Sequence, residues 1–427
     1  MNYKNLLIIS HNCLSKTGSN GRTLANYLKG WPKDKLAQFF IHAEKPDFAI
    51  CENYYCITDA NILRSMCKRK MAGNVINESD FSDGYIDLKD SAKKAVLKNS
   101  ALLTARDLAW KSPFWKKKRF RGWLDAFSPE LILVQVGDMG FLFDLAIKIS
   151  KKYHAPIVVY NTEGFYFKER SYFGEKAFTR CFYPLFHGSY KRAYKRLIKA
   201  STAQIYNCDL LRNDYETIFH TDSRTIMCTS EFTSESVFYP KKNQIIYAGN
   251  LGLYRHKSLI EFADALQATD GNLVVDVYGK APCQKVREEL ENCAGIRLHG
   301  FISYEELKQK LRESKYLLHV ESFDAFYKND LKYAFSTKIA DSLAAGACLF
   351  VYAPENMAVC QYLCETNAAV LITEQSDLQE QLKRVLLNEA VSEECAQNGR
   401  ELAERNHNLE VNRLAFQNIL LGEENQT

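Results

Sequence analysis

The chain has 427 residues, of which 46% are hydrophobic and 25% are charged, and its formal net charge is +5. This composition describes an ordinary soluble globular protein, and the length predicts two or three domains rather than one. The thirteen cysteines are scattered and form no CxxC pair, and HExxH is absent. Neither a disulfide framework nor a zinc site is therefore predicted.

No segment approaches the roughly 18 uninterrupted apolar residues of a transmembrane helix. The best candidate, residues 131–147, is interrupted by Gln135, Asp138 and Asp144. The short apolar run near the N-terminus lacks a small-residue cleavage site, so it predicts a first strand and not a signal peptide. We expect a cytoplasmic protein, either free or peripheral on the inner face of the cell membrane.

Charge is distributed unevenly along the chain. Residues 1–240 hold 36 Lys and Arg against 24 Asp and Glu, a net +12, which leaves 20 against 27, a net −7, for residues 241–427. Two halves of opposite charge predict two domains with different partners.

Strands and helices alternate in both halves. The first half has predicted strands at 6–10, 131–136, 156–161 and 203–207, with helical patterns between them, such as 141–153 and one that begins near Thr23. The second half has predicted strands at 243–249, 272–279, 296–300, 316–321, 347–352 and 368–372, and predicted helices at 258–266, 284–292, 304–314 and from 336 or 337. This alternation predicts two Rossmann-like, doubly wound α/β domains that face a cleft.

We place the first domain at residues 1–235 and the second at 244–405, with residues 406–427 as a C-terminal helix that packs back on the first domain. The polar segment 229–243 contains Pro240 and is the expected linker.

The segment 331–352, LKYAFSTKIADSLAAGACLFVY, places a cation where a helix prefers an anion. Ser336 and Thr337 favour a helix start and Gly346 favours its end. Lys338 then lies in the first turn, where a cation costs about 0.3–1 kcal/mol unless a negative group is near. Since ligands of doubly wound sheets bind where strand leads into helix, we expect an anionic ligand there.

A second loop of this kind is GNLGLYRHK, residues 249–257. Gly249, Asn250 and Gly252 allow a close approach of the backbone to a ligand, and Arg255 and Lys257 supply positive charge before the next helix. The loop matches neither GxGxxG nor GxxxxGK[ST], so dinucleotide and P-loop sites are weakly supported. A diphosphate held between two helix N-termini fits better. Turn glycines and solvated cations are the alternative.

The run FSTKIADSLAAGACLFVYAP, with HVESF and YAGNLG upstream, resembles the donor-binding half of the bacterial GT-B glycosyltransferases of the family 4 type, especially those that build capsule and other surface polysaccharides. The resemblance covers residues 244 to about 365. It implies transfer of a sugar, with retention, from a nucleotide diphosphate sugar to a hydroxyl of a glycan that we expect to be lipid-linked. It implies no further cofactor.

By the same resemblance, Asp341 corresponds to the second of two family glutamates and would bind the donor ribose. The first glutamate falls on Tyr333, so the sequence departs from the family there. Glu321 of HVESF would recognise the donor sugar in its place, or would instead fix the loop. Lys338, with the backbone amides of Ser336 and Thr337, would stabilise the departing diphosphate.

Weaker assignments complete the donor site. Phe301 and Ile302 lie in the loop that reads the base in similar enzymes, and a core role for both residues is the alternative. Gly279 ends a strand beside the cleft. No DxD triplet occurs, so a metal-dependent donor site is not predicted.

In the first half, GSNGR gives Gly18, Gly21 and Arg22 as residues that contact the acceptor or the donor phosphates. Glu163, at the end of a strand, is the expected group that orients or deprotonates the acceptor hydroxyl. An ordinary turn and a capping carboxylate are the respective alternatives.

The first half also carries a basic and aromatic cluster. Residues 165–199 contain eleven aromatic residues and nine Lys or Arg against two acidic residues, and WKKKRFRGW (115–123) adds a second cluster. Such segments suit an anionic membrane surface. The alternative is that the aromatic residues belong to the core and the cations form a solvated helix face. No nucleic-acid motif accompanies the charge, so nucleic-acid binding is not predicted.

Two other functions remain open at this point. A nucleotide-sugar 2-epimerase shares the predicted fold, although the basic first half argues against it. A non-catalytic nucleotide-sugar-binding protein is kept open by Tyr333.

Overall fold

The computed structural model describes residues 2–16, 19–68, 70–81, 99–171, 177–232 and 241–423. They form two compact units. The first comprises Met1–Asn207, Arg212–Ile226 and Arg413–Thr427, and the second comprises Cys208–Leu211 and Met227–Asn412. Most of the predicted linker lies outside the described residues.

The first unit contains an eight-stranded sheet in the order β4-β3-β2-β1-β5-β6-β7-β8. Every neighbouring pair is parallel except β3 and β4. Its strands are β1 (Leu6–Ser10), β2 (Leu36–Phe40), β3 (Asn53–Cys56), β4 (Asn74–Ile76), β5 (Leu131–Gln135), β6 (Ile157–Asn161), β7 (Ala203–Tyr206) and β8 (Ser223–Thr225). Its helices are α1 (Ser19–Leu28), α2 (Asp59–Lys68), α3 (Ser100–Lys111), α4 (Lys118–Phe127), α5 (Gly140–Tyr153), α6 (Ala177–Arg180), α7 (Tyr183–Ala200) and α8 (Asp209–Phe219).

The central strands of this sheet are covered on both faces. All residues of β1, β2, β5 and β6 are buried, as is typical of parallel strands between two helical layers. The strand order reverses between β1 and β5, which follow each other in the sheet but not in the sequence. This point is the topological switch point, beyond which such sheets bind ligands.

The C-terminal helix of the chain, α17 (Leu409–Leu421), contributes to the first unit from Arg413 onward. Phe416 is fully buried, stacks on Tyr27 with 4.6 Å between ring centroids, and meets Tyr160 edge-on. Gln417 Nε2 donates to the Tyr27 carbonyl at 2.8 Å. These contacts join the last helix to the core of the first unit.

The second unit contains a six-stranded, fully parallel sheet in the order β11-β10-β9-β12-β13-β14. Its strands are β9 (Lys242–Ala248), β10 (Val275–Tyr278), β11 (Ile296–Gly300), β12 (Ser314–Val320), β13 (Cys348–Tyr352) and β14 (Val370–Ile372). Its helices are α9 (Arg255–Thr269), α10 (Gln284–Glu291), α11 (Tyr304–Glu313), α12 (Lys328–Leu331), α13 (Thr337–Ala344), α14 (Ala358–Leu363), α15 (Leu378–Leu386) and α16 (Glu389–Asn406).

The second sheet also has one switch point, between β9 and β12. The loop predicted between residues 321 and 336 is present and contains the single helical turn α12. Gly346 has a φ of 67°, the left-handed conformation that ends a helix, so the predicted end of α13 is confirmed. None of the helices in the described residues combines the length and apolarity that crossing a bilayer requires.

Candidate functional site

A buried ion pair occupies the switch point of the second sheet. Arg255 is the first residue of α9, and Glu321 follows β12. The Arg255 Nε donates to Glu321 Oε2 at 2.7 Å and Nη2 donates to Oε1 at 3.2 Å. Glu321 is 2% exposed. This two-point contact fixes the N-terminus of α9 against the carboxyl end of β12.

A histidine completes this pair. His319 Nε2 lies 3.3 Å from Glu321 Oε1. Burial alone would raise the pKa of Glu321, but the contact with His319 and the charge of Arg255 together lower it below its ordinary value. Glu321 is therefore a carboxylate, and both of its oxygens are already engaged. Its predicted contact with the donor sugar, and that of Arg255 with the diphosphate, stay predictions.

Helix α13 begins as the sequence predicts. Ser336 is the N-cap, and its hydroxyl accepts a hydrogen bond from the Lys338 backbone N–H at 3.3 Å. In the part of the chain that the structure describes, the backbone amides of Ser336 and Thr337 donate to no protein acceptor. Lys338 is half-buried in the first turn. Two unmatched amides and a cation beside the helix dipole form a site suited to an anion.

The glycine loop after β9 approaches the end of β10 closely. A Cβ on Gly279 would lie 2.5 Å from the Gly249 carbonyl oxygen, so only glycine fits at residue 279 without movement. Asn250 Oδ1 accepts the Gly252 N–H at 2.8 Å and closes the turn. The four residues 249, 250, 252 and 279 thus lie at the same edge of the sheet. Their contact with a donor stays a prediction.

Lys257 points to a neighbouring helix. Its Nζ lies 3.0 Å from Glu289 Oε2 on α10, and the buried His256 also contacts this carboxylate at 3.2 Å. The hydrogen bond from Lys257 is the main cause that lowers the pKa of Glu289. A phosphate role for Lys257 would require it to leave Glu289.

Asp341 lies on α13 and is 2% exposed. Its Oδ1 accepts a hydrogen bond from the Ser230 hydroxyl at 2.8 Å, and its Oδ2 accepts one from the Tyr304 hydroxyl at 3.0 Å. The carboxylate therefore joins α13 to α11 and to the segment before β9. A ribose could replace these donors only by displacing them, so the ribose role stays a prediction.

We expect Asp341→Ala to lower the free energy of unfolding by about 1.5–3 kcal/mol, because hydrogen bonds to a buried charged acceptor are lost. Tyr304→Phe removes one of the two donors and should lower it by less. Thermal unfolding with and without nucleoside diphosphates measures both effects. A loss of nucleotide affinity with an unchanged melting temperature would instead assign Asp341 to the ribose.

The loop after β11 exposes an aromatic ring. Phe301 is 84% exposed and Ile302 is half-buried, so the core alternative is wrong for Phe301. An exposed ring at the carboxyl edge is available to stack on a base, which stays a prediction. Tyr333 is buried, and the Lys332 ammonium lies over its ring at 4.8 Å.

The first unit contains the four residues that were predicted to contact the acceptor or the donor phosphates. Gly18 lies outside the described residues. Gly21 is inside α1, where a Cβ would lie 2.4 Å from the Cys13 carbonyl oxygen, and this contact gives it a packing role. Arg22 is half-buried on the same helix, and Glu163 is exposed directly beyond β6. Their acceptor roles stay predictions.

The switch point of the first sheet carries a pair that the sequence analysis missed. His11 follows β1 and Asp138 follows β5, and His11 Nε2 lies 3.3 Å from Asp138 Oδ1. Burial would raise the pKa of Asp138, but His11 and the more distant Arg106 hold it below its ordinary value. A Cβ on Gly137 would lie 2.1 Å from the His11 ring. The available signal was position, since His11 directly follows one predicted strand and Asp138 lies two residues beyond another.

Sequence comparison finds a family that is similar to most of the second half of the chain. Residues 255–416 match a family model described as glycosyl transferase-like. A search of curated proteins found no match. This part of the chain is therefore similar to glycosyl transferase-like domains, in agreement with the predicted enzyme class.

Solved structures with the same fold include Anabaena HepE in complex with UDP, with a TM-score of 0.63 and 12% identity over 98% of this chain and 99% of HepE. The lipopolysaccharide outer core galactosyltransferase WaaB has a TM-score of 0.58 and 15% identity, over 98% and 99% of the chains. A Listeria monocytogenes protein assigned as a UDP-N-acetylglucosamine 2-epimerase has a TM-score of 0.53 and 11% identity, over 99% and 98%. The two Rossmann-like sheets, which are parallel apart from the pair β3 and β4, have the GT-B fold, as predicted.

Proposed function

We propose that the protein transfers a sugar from a nucleotide diphosphate sugar to a hydroxyl of a lipid-linked surface glycan, with retention and without a metal ion. The observation that carries this proposal is the start of α13, where Lys338 and the amides of Ser336 and Thr337 offer positive charge at the carboxyl edge of the second sheet. The sequence resemblance to family 4 enzymes supports retention and a role in polysaccharide synthesis. WaaB acts on lipopolysaccharide, which supports a lipid-linked acceptor.

In this proposal, the donor side stabilises the leaving group. Negative charge grows on the diphosphate as its bond to the sugar breaks, and fixed amides with a cation stabilise that charge best where it develops. The Arg255–Glu321 pair holds the neighbouring helix start in place. Because HepE binds UDP, uridine diphosphate sugars are the first donors to test.

On the acceptor side, the attacking hydroxyl must lose a proton. His11 is the group we assign to receive it, because Asp138 orients the imidazole. Glu163, the residue predicted from the sequence, is exposed beyond the nearby strand β6 and is the second candidate.

Incubation with the donor alone separates the proposed transferase from two alternatives, a nucleotide-sugar 2-epimerase and a non-catalytic nucleotide-sugar-binding protein. A transferase hydrolyses the donor slowly and speeds up when an acceptor is added. A 2-epimerase would change the sugar without releasing the nucleotide. A binding protein would raise its melting temperature with the donor and turn nothing over. A screen of nucleotide sugars by thermal shift and product analysis therefore tests the proposal.

The proton-acceptor assignment predicts a large effect of Gly137→Ala. The added methyl group displaces the His11 ring, and transfer should fall by about 10²-fold or more because general-base catalysis contributes on that scale. Donor hydrolysis and nucleotide affinity should change little. Gly122→Ala on α4 is the control, because its methyl group meets no atom within 4 Å. Unchanged transfer by Gly137→Ala would refute the assignment of His11.

We also propose that the first unit works on the cytoplasmic face of an anionic membrane, where a lipid-linked acceptor is found. The support is its basic surface together with the exposed apolar side chains of Phe114, Phe178 and Leu185. Among the described residues, most aromatic rings of the two clusters are instead buried, namely Tyr166, Tyr183, Phe186, Tyr190, Tyr194, Trp115 and Phe120. An anionic surface attracts such a surface by about 1 kcal/mol per cation.

A further inference from the structure

A groove of about 660 Å³ lies between α5 and α7 in the first unit. Five cations line it, together with one carboxylate: Lys111, Lys148, Lys151, Arg196, Lys199 and Asp144. The α5 members are spaced at four and three residues, so they share one face of that helix. The groove has no role in the proposed reaction.

The groove lies at the other edge of the sheet from the switch point. Helix α5 ends at Tyr153 and β6 begins at Ile157, so the end of α5 adjoins the amino ends of the strands. Helix α7 likewise ends just before β7. His11 and Asp138 follow carboxyl ends, so this groove is separate from the proposed acceptor side.

Two of the five cations are paired. Arg196 donates to Asp144 through Nε at 3.1 Å and through Nη2 at 2.6 Å, and Lys111 donates to Asp107 at 2.8 Å. Among the described residues, no carboxylate pairs with Lys148, Lys151 or Lys199.

Helix ends account for part of this charge, but not for all of it. Lys111, Lys151 and Lys199 lie in the last turns of α3, α5 and α7, and each helix end carries about half a negative charge. The three helix ends together carry about one and a half negative charges. The three unpaired cations exceed this by between one and two positive charges. The phosphodiester of an anionic phospholipid carries about one negative charge, so its binding offsets most of this surplus.

The groove continues into the second basic cluster. The pKa of Lys117 is lowered first by burial and then by the neighbouring charges of Lys148 and Arg121. Lys148 of the groove and Arg121 of α4 therefore lie close enough to repel the same ammonium group. This crowding of cations is relieved when an anion binds.

Apolar side chains on the adjoining helices favour a lipid over a soluble anion. Leu108 on α3, Phe178 on α6 and Leu185 on α7 are all largely exposed, although each helix packs within the first unit. Leu185 also lies on the same stripe of α7 as Arg196, eleven residues further along the helix.

From these observations we propose that the groove between α5 and α7 binds the phosphate of an anionic membrane lipid and anchors the first unit to the bilayer. This proposal rests on the membrane association proposed above and adds the site that carries it. The bound group is a headgroup of the surrounding membrane rather than the acceptor, because the groove lies at the opposite edge of the sheet.

The test compares full-length protein with Lys148→Glu/Lys151→Glu in sedimentation with phosphatidylglycerol and phosphatidylcholine vesicles. Lys29→Glu/Lys33→Glu is the matched control, since it makes the same change of net charge at exposed residues of the same unit. We expect the parent and control to bind phosphatidylglycerol vesicles at low salt and to leave them at high salt. The groove variant should bind at least about tenfold more weakly.

Three results would overturn the proposal. The first is equal binding by the groove variant and the parent, and the second is an equal loss in the control, which would show a non-specific charge effect. The third is stabilisation by inorganic phosphate, seen by thermal shift, without vesicle binding, which would show a site for a soluble anion. Donor hydrolysis in solution, measured on the same preparations, should be unchanged in the groove variant. Vesicle binding can be scored whether or not the transferase proposal holds.

Discussion

Lys338→Ala is expected to lower the turnover number by about 10²–10³-fold while leaving the melting temperature close to that of the parent. The ammonium group is assigned to charge that develops on the leaving diphosphate, and loss of one such stabilising donor typically costs that factor. Lys338 is half-buried on the first turn of α13, and the Ser336 hydroxyl already caps this helix, so the helix start is capped without the ammonium group. Steady-state kinetics with the donor found in the nucleotide-sugar screen measure the effect.

Lys310→Ala is a suitable control for this experiment. Lys310 is exposed in the last turn of α11, which faces away from the carboxyl edge of the sheet. Its removal should leave turnover unchanged. Lys338→Arg should restore part of the activity, because it restores the positive charge but carries it on a planar guanidinium instead of a compact ammonium group. Turnover of Lys338→Ala within a few-fold of the parent would exclude the diphosphate assignment.

Most of the two sheets could be predicted because their strands are short apolar runs between loop residues. Four strands of the first sheet were missed. The segments LAQFF of β2 and NYYC of β3 mix polar and aromatic residues without a clear period, and β4 and β8 have only three residues each. Helix α9 begins at Arg255, three residues before the predicted start. Its N-cap, Tyr254, has a φ of 62° and makes no side-chain cap, so no sequence signal marks the boundary.

The loops of the candidate site could be predicted from the sequence, but the pairs of residues that contact each other there could not. Arg255 and Glu321 were both selected from the sequence, yet their pairing depends on β9 lying beside β12, which is a property of strand order. The pairing of His11 with Asp138 likewise depends on β1 lying beside β5 in the sheet. Asp341 shows a further limit, because its hydroxyl donors come from Ser230 and Tyr304, which no spacing rule connects to it.

The Arg255–Glu321 pair should make stability depend on pH in a defined direction. The pKa of Glu321 in the folded protein lies below its ordinary value of 4.5, so the pair contributes its full stabilisation above about pH 4.5. That contribution is lost as the pH falls through the lower, folded value. The difference in unfolding free energy between the parent and Glu321→Gln should therefore be constant near neutral pH and shrink in acid. Glu404→Gln, at an exposed residue, should show no such change.

Glu321→Ala is expected to lower the free energy of unfolding by about 3–5 kcal/mol at neutral pH, because it removes the carboxylate that pairs with the largely buried Arg255 guanidinium. Chemical denaturation measures this loss, and Glu321→Gln provides a milder variant if the alanine protein does not fold. The double variant Arg255→Met/Glu321→Leu replaces the pair by apolar side chains of similar size and should recover most of the stability. If the pair also positions the donor loop, the double variant stays inactive although it is stable. Recovery of turnover together with stability would show that the pair serves the fold alone.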